Sequence, residues 1–124
     1  MNGIQMTMKK PIKTYDSFEV VLVPFPFVDN SSNKKRPALI LSASLHFNMK
    51  VGASVMAMIT TATHRSWPLD IPIDNLNAAG LPVPSIIRMK LFTLDHRLVL
   101  KKLGRLHPID QRHVEKNLKL LFSL

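Results

Sequence analysis

Apolar and polar positions alternate with a period near two along much of this chain, the signature of strands with two distinct faces. Two β-rich apolar runs, Val20–Phe27 and Ala38–Leu41, flank a polar loop. In the first run Val20, Leu22 and Pro24 fall on one face, and Val21, Val23 and Phe25 on the other. Both faces are apolar, which predicts a strand buried on both sides or tightly curled. Pro24 and Pro26 lack the N–H that a ladder needs, so this strand should end at an edge or a bend. The loop is built from the turn formers Asp29, Asn30, Ser31, Ser32 and Asn33. It closes in Lys34, Lys35, Arg36 and Pro37 and should pair the two runs antiparallel.

Further runs follow the same logic. Ser54–Thr61 reads as a strand, with Val55, Ala57 and Ile59 alternating against Met56 and Met58. Leu69–Ile73 is a short strand interrupted by Pro72, and Asp74–Pro84 a long turn. Ser85–Leu91 is a strand that Phe92–Asp95 continues or turns. Leu98–Leu106 is a strand broken by Gly104, while Ala43–Gly52 fits no period. His107–Ser123 switches to helical spacing, with Pro108 at a tolerated first position. Val114, Leu118, Leu121 and Phe122 form its apolar stripe. Asp110 and Glu115 lie towards its start and Lys116 and Lys119 towards its end, as the helix dipole favours. Many short strands and one C-terminal helix predict a mainly β fold, a small, strongly curled antiparallel sheet or barrel. Residues 14–124 form one domain of ordinary size, and residues 1–13 read as a frayed N-terminal extension in which Met6 or Met8 could be alternative starts.

Charge narrows the class of partner. Seventeen Lys and Arg against eight Asp and Glu give a net +9, which points to a polyanion or an acidic protein. Basic residues occur in both halves, so the charge is not a detachable tail. Cysteine is absent, which removes disulfide and thiol chemistry and fits a reducing cytoplasm. No apolar run is long enough to span a bilayer, and no signal-type core follows Lys9, Lys10 and Lys13. Gly3, Gly52, Gly80 and Gly104 stand alone, so there is no phosphate-cradling loop. His46, His64, His96, His107 and His113 share no metal-ligand spacing, and neither a metal nor a cofactor is expected. Arg36, by contrast, sits beside a residue of fixed φ at the mouth of a strand, and a rigid fork of donors there suits phosphate.

The order and spacing of these segments resemble the PemK/MazF toxins, the ribonuclease half of bacterial toxin–antitoxin modules. The residues that carry the likeness are the first strand and loop, Arg36-Pro37 and Ala38–Ser42. Ala57-Met58-Ile59-Thr60-Thr61, Ala79-Gly80-Leu81, Pro84-Ser85-Ile86-Ile87-Arg88, Thr93-Leu94-Asp95 and Gly104-Arg105-Leu106 follow in order. The Gly-Asp that opens the family pattern is Phe18-Glu19 here. The resemblance runs from about Tyr15 to the C-terminus. It implies an SH3-like barrel and a cytoplasmic homodimer whose RNA groove crosses the subunit boundary. It also implies metal-free, sequence-selective cleavage of single-stranded mRNA, leaving a 2′,3′-cyclic phosphate and a 5′-hydroxyl. An acidic antitoxin tail would neutralise the toxin by folding onto the basic groove.

RNA brings its own nucleophile, the 2′-hydroxyl. Catalysis then needs a proton acceptor, a donor to the leaving oxygen and cationic stabilisation of the crowded phosphorus. The family's catalytic Arg falls on Arg36 and its catalytic Thr on Thr60, with Thr61 one step away in reserve. Arg88 resembles a catalytic arginine of the Kid-like branch, although the acid expected two residues later is Lys90. A phosphate clamp or an ion pair to Asp95 are alternatives for Arg88. His64 is a reserve acid–base group. Lys34, Lys35, Arg65 and Lys90 are candidates for a phosphate track, Ser85 for holding RNA, and Trp67 for stacking a base or capping the barrel. Lys101, Lys102 and Arg105 suit a solvated strand face or the antitoxin site. Two rivals share the fold: a CcdB-like toxin that binds gyrase, and a nucleic-acid-binding barrel without catalysis.

Overall fold

The computed structural model describes residues 13–24, 34–63 and 65–124. The expectations for residues 1–12, for the Asp29–Asn33 loop, for the Phe25–Phe27 end of the first strand and for His64 lie outside the described residues. Six described strands form one antiparallel sheet: β1 (Glu19–Pro24), β2 (Lys35–Ile40), β3 (Ala53–Thr61), β4 (Ile71–Pro72), β5 (Ser85–Asp95) and β6 (Lys101–Arg105). Their order across the sheet is β4-β5-β3-β2-β1-β6. The architecture is therefore mainly β, a curled half-barrel, closed on one face by the C-terminal helix.

Both faces of the central strands are apolar, as the sequence pattern requires. Val20, Leu39, Ala57, Ile59 and Ile87 point into the larger core, which Val114 and Leu118 of the helix α3 (Pro108–Phe122) help to cover. Val21, Val23, Ala38, Ile40, Met56 and Leu94 form a smaller core on the opposite face, where Tyr15 joins them. Each fully buried aliphatic side chain here contributes about 1.5–3 kcal/mol of transfer free energy. Pro24 pairs with Lys35 of β2, whereas the β1–β6 register ends at Leu22, so its missing N–H faces the unpaired side.

Several local expectations need correction. Arg36 lies inside β2, opposite Val23, and not in the loop before it. The segment Ala43–Gly52 forms a wide π-type turn, Ser44–Asn48, running into the short helix α1 (Met49–Val51). Asp74–Pro84 contains a helical turn, α2 (Leu76–Ala79), whose start is capped by the Asn75 side chain accepting from the Ala78 N–H at 2.9 Å. Gly104 sits within β6 and does not break it. A Cβ there would stand 2.4 Å from the Ala78 carbonyl oxygen, and one on Gly80 would stand 2.0 Å from the Leu103 oxygen. The two glycines let α2 lie directly on the β6 backbone.

Helix α3 buries only part of the predicted stripe. Val114 is fully buried and Leu118 touches the core, but Leu121 and Phe122 are 37% and 55% exposed. Asp110 is wholly buried and does more than complement the dipole: its two carboxylate oxygens accept the Asp74 and Asn75 N–H groups, each at 3.0 Å. It thereby ties the start of α3 to the chain leading into α2.

Candidate active site

The ladder registers decide which candidates meet. β2 and β3 pair Ala38 with Met58, and continuing that register sets Arg36 opposite Thr60. Residues directly opposite in an antiparallel pair share a face, with Cβ atoms about 5 Å apart. β3 and β5 pair Thr60 with Ile86 and Met58 with Arg88, so Arg88 is the diagonal neighbour of Thr60 on that same face. β4 and β5 pair Ile71 with Ile87, which carries Asp70 opposite Arg88. One face of the sheet thus presents Arg36, Thr60, Arg88 and Asp70 across four adjacent strands.

Arg36 and Thr60 line a common cleft of about 170 Å³ with Pro37, Thr61, Leu81, Pro82, Val83 and Ser85. The Arg36 Nε is buried, and no hydrogen bond satisfies it among the described residues. A buried N–H without a partner is costly. Thr60 is 4% exposed. The neighbouring hydroxyls are occupied: Thr61 Oγ1 lies 3.0 Å from Thr63 Oγ1, and Ser85 Oγ donates to the Val83 carbonyl at 2.8 Å.

Arg88 is engaged at every turn. Its Nε and Nη2 donate to the two Asp70 oxygens at 3.1 and 2.9 Å, and Nη2 also donates to the Arg65 carbonyl at 2.6 Å. Its guanidinium carbon lies 5.2 Å from the centre of the Trp67 ring. The partner is Asp70 and not Asp95, because Asp95 sits at the far end of β5, paired with Ala53 and bonded to Arg97. The Arg97 hydrogen bonds hold the Asp95 carboxyl down to about 2. For Asp70, burial opposes ionisation, but the bonds from Arg88 and the Trp67 N–H and the Arg88 charge outweigh it, so the carboxyl stays below its usual range. Sequence reasoning missed Asp70, since its nearness to Arg88 exists only through the β4–β5 register.

The other candidates are more dispersed. Lys34 and Lys35 are exposed at the start of β2. Lys90 lies with Met89 in an irregularity of β5, between Arg88 opposite Met58 and Leu91 opposite Ala57. Arg65 and Trp67 lie on the segment leading to Asp70, and both are exposed. On β6, at the sheet edge, Lys102 bridges Glu19 at 3.1 Å and Arg105 donates to the Ser17 carbonyl. Asp74, Asp110 and His113 approach within 4.8 Å of one another, although both Asp110 oxygens already accept backbone N–H groups.

A sequence profile described as PemK-like, MazF-like toxin of type II toxin–antitoxin systems matches residues 16–122. The chain belongs to this family. MazF from Deinococcus radiodurans superposes at a TM-score of 0.70 with 20% identity, over 90% of this chain and 99% of that one. MazE–MazF from the same organism gives 0.71 at 18% identity, over 90% and 99% of the two chains. The Mycobacterium tuberculosis toxin MazF-mt6 gives 0.68 at 21% identity, over 86% and 97%. These likenesses establish the MazF fold. No curated protein sequence matches the chain. No helix among the described residues is long and apolar enough to cross a membrane.

Proposed function

We propose that this MazF-family toxin is an endoribonuclease that cuts single-stranded mRNA sequence-selectively and without a metal ion. The observation that carries this reading is the unpaired, buried Arg36 donor sharing a cleft with Thr60. In the reaction the 2′-hydroxyl gives its proton to solvent as its oxygen attacks the adjacent phosphorus, the P–O5′ bond breaks, and the departing 5′-oxygen takes up a proton from solvent. The products are a 2′,3′-cyclic phosphate and a 5′-hydroxyl. Arg36 bonds the non-bridging oxygens as their charge grows. Thr60 donates a further hydrogen bond to the phosphate.

Arg88 is a weaker candidate for direct chemistry, because its donors already serve Asp70 and Arg65. Lys34, Lys35, Arg65 and Lys90 supply the basic surface that follows the RNA backbone, with Ser85 at the cleft wall and Trp67 beside it. A cytoplasmic homodimer held in check by an acidic antitoxin completes the reading. It is supported by family membership, the net +9 charge and neighbours solved as MazE–MazF complexes.

Incubating the protein with a long RNA in excess chelator, then mapping the cut ends, tests the proposal. Cyclic-phosphate and 5′-hydroxyl ends that disappear with Arg36→Ala support it. RNA bound but left intact would instead favour the non-catalytic barrel.

A further inference from the structure

Trp67 heads an unusually constrained turn. The Asp70 N–H donates to the Trp67 carbonyl at 3.3 Å, and the Trp67 N–H donates back to Asp70 Oδ2 at 2.8 Å. Between them stand Pro68 and Leu69. Leu69 has φ 66°, the left-handed value that this position of a type II turn normally gives to glycine. A leucine there is strained, and strain persists only where the surroundings over-determine it. Those surroundings are explicit. Asn117 of α3 donates to the Leu69 carbonyl at 3.0 Å, Arg88 grips both Asp70 oxygens, and the same guanidinium fixes the Arg65 carbonyl.

All of this holds a side chain that is not itself buried. The Trp67 ring is 43% exposed, with the Arg88 guanidinium 5.2 Å from its centre. A brace of this kind gains little packing from the indole, but it fixes the backbone that carries the ring and sets the Arg88 guanidinium against it. Arg88, beneath the ring, is the diagonal neighbour of Thr60, so the indole belongs to the face of the sheet that Arg36 and Thr60 share. From β2 to β4 the distance across that face is about 14 Å, three strand spacings.

We propose that Trp67 is a preorganised stacking platform for an unpaired nucleobase near the scissile phosphate, and that the Asp70–Arg88 pair is the positioning element that holds it there. The inference rests on the ribonuclease reading for the location of the phosphate. Its ligand, single-stranded nucleic acid, is recognised through the π-face of a base and not through base-specific hydrogen bonds. Preorganisation lowers the ordering cost of binding.

Trp67 is the sole tryptophan of the chain, so its emission reports this place alone. The probe is a random-sequence 2′-O-methyl RNA, which binds but offers no attacking hydroxyl. Wild-type emission should quench saturably. By anisotropy of the labelled probe, Trp67→Ala should weaken binding about 5- to 100-fold and Trp67→Phe should restore most of it. The paired replacement Asp70→Leu with Arg88→Met keeps the corner neutral and apolar, so the fold survives. It should weaken binding similarly, and adding Trp67→Ala should cost little more.

A wild-type protein that cleaves RNA while its emission ignores the probe overturns the platform and leaves the enzyme reading intact. Saturable quenching without cleavage of natural RNA has the opposite meaning: the platform stands and the enzyme reading falls. If neither occurs, both fail. If the double variant binds like wild type, the brace is wrong even where the platform is right.

Discussion

Arg36 and Arg88 share one face of one sheet, yet they live under opposite conditions. Arg88 is surrounded by acceptors: two carboxylate oxygens and a carbonyl. Arg36 has a buried Nε with no partner among the described residues. A guanidinium tied down through Nε and Nη2 stabilises the folded chain and has fewer donors to offer a substrate. One with an unpartnered buried Nε weakens the fold slightly, and on the proposed reading an anion would satisfy it. On the proposed reading the difference gives holding to one arginine and chemistry to the other, although the resemblance implies a catalytic role for both.

The comparison is broken most directly by removing each cation in turn. Arg36→Ala should lower the cleavage rate constant by about 10²–10³ and leave the melting temperature nearly unchanged, as when one transition-state donor is lost. Arg88→Ala should do the reverse in kind. It strands the Asp70 carboxylate, whose side chain is only 9% exposed, and should destabilise the protein by about 3 kcal/mol in denaturant titration. A stable Arg88→Ala protein with no activity would return Arg88 to the catalytic group.

The threonines sharpen the picture at smaller scale. Thr60→Val should cost about 10- to 100-fold in kcat, the worth of a hydrogen bond to a charged group, and Thr61→Val much less. Equal losses would mean that the Thr61 hydroxyl leaves Thr63 when RNA binds.

The smallest effect concerns His96, far from both arginines. Its Nε2 lies 2.6 Å from Ser54 Oγ, its Nδ1 is buried without a partner among the described residues, and the Tyr15 ring meets it edge-on at 5.2 Å. Burial pushes the imidazole below its ordinary 6.5, against the pull of the Lys13 backbone and of Asp95. The unfolded chain therefore takes up the proton first. The stability that the neutral ring contributes is complete above pH 6.5 and is lost as pH falls through the folded value. Melting temperatures measured from pH 7.5 downwards should fall in that window, and His96→Gln should flatten the fall. An unchanged profile in the variant would show that another group titrates there.

Much of the fold was legible because the alternation of β1, β2 and β3 has no other stable outcome. Val21 and Val23 could only oppose Val20, and His107–Ser123 changed period unmistakably. The helical turn α2 was hidden: four residues are too few for a period, although its cap Asn75 and its terminator Gly80 stood in plain view. Of the site, the Arg36–Thr60 meeting followed from strand order, with the resemblance to guide it. The Asp70–Arg88 meeting did not. A search along the chain for an acid near Arg88 reaches Lys90, whereas the carboxylate arrives from the Leu69–Ile73 segment, whose partner strand the sequence does not name. Leu121 and Phe122 misled for a related reason, since a stripe records what a helix offers and not how far the sheet beneath it extends.

The backbone contact between Gly80 and Gly104 has a consequence at a distance. Leu81, Pro82 and Val83 follow Gly80 directly and form one wall of the cleft. Any side chain at either glycine would lift α2 from β6 and carry that wall with it. The width of the mouth that RNA would enter is thus tuned from behind, by two hydrogen atoms standing where methyl groups would otherwise be.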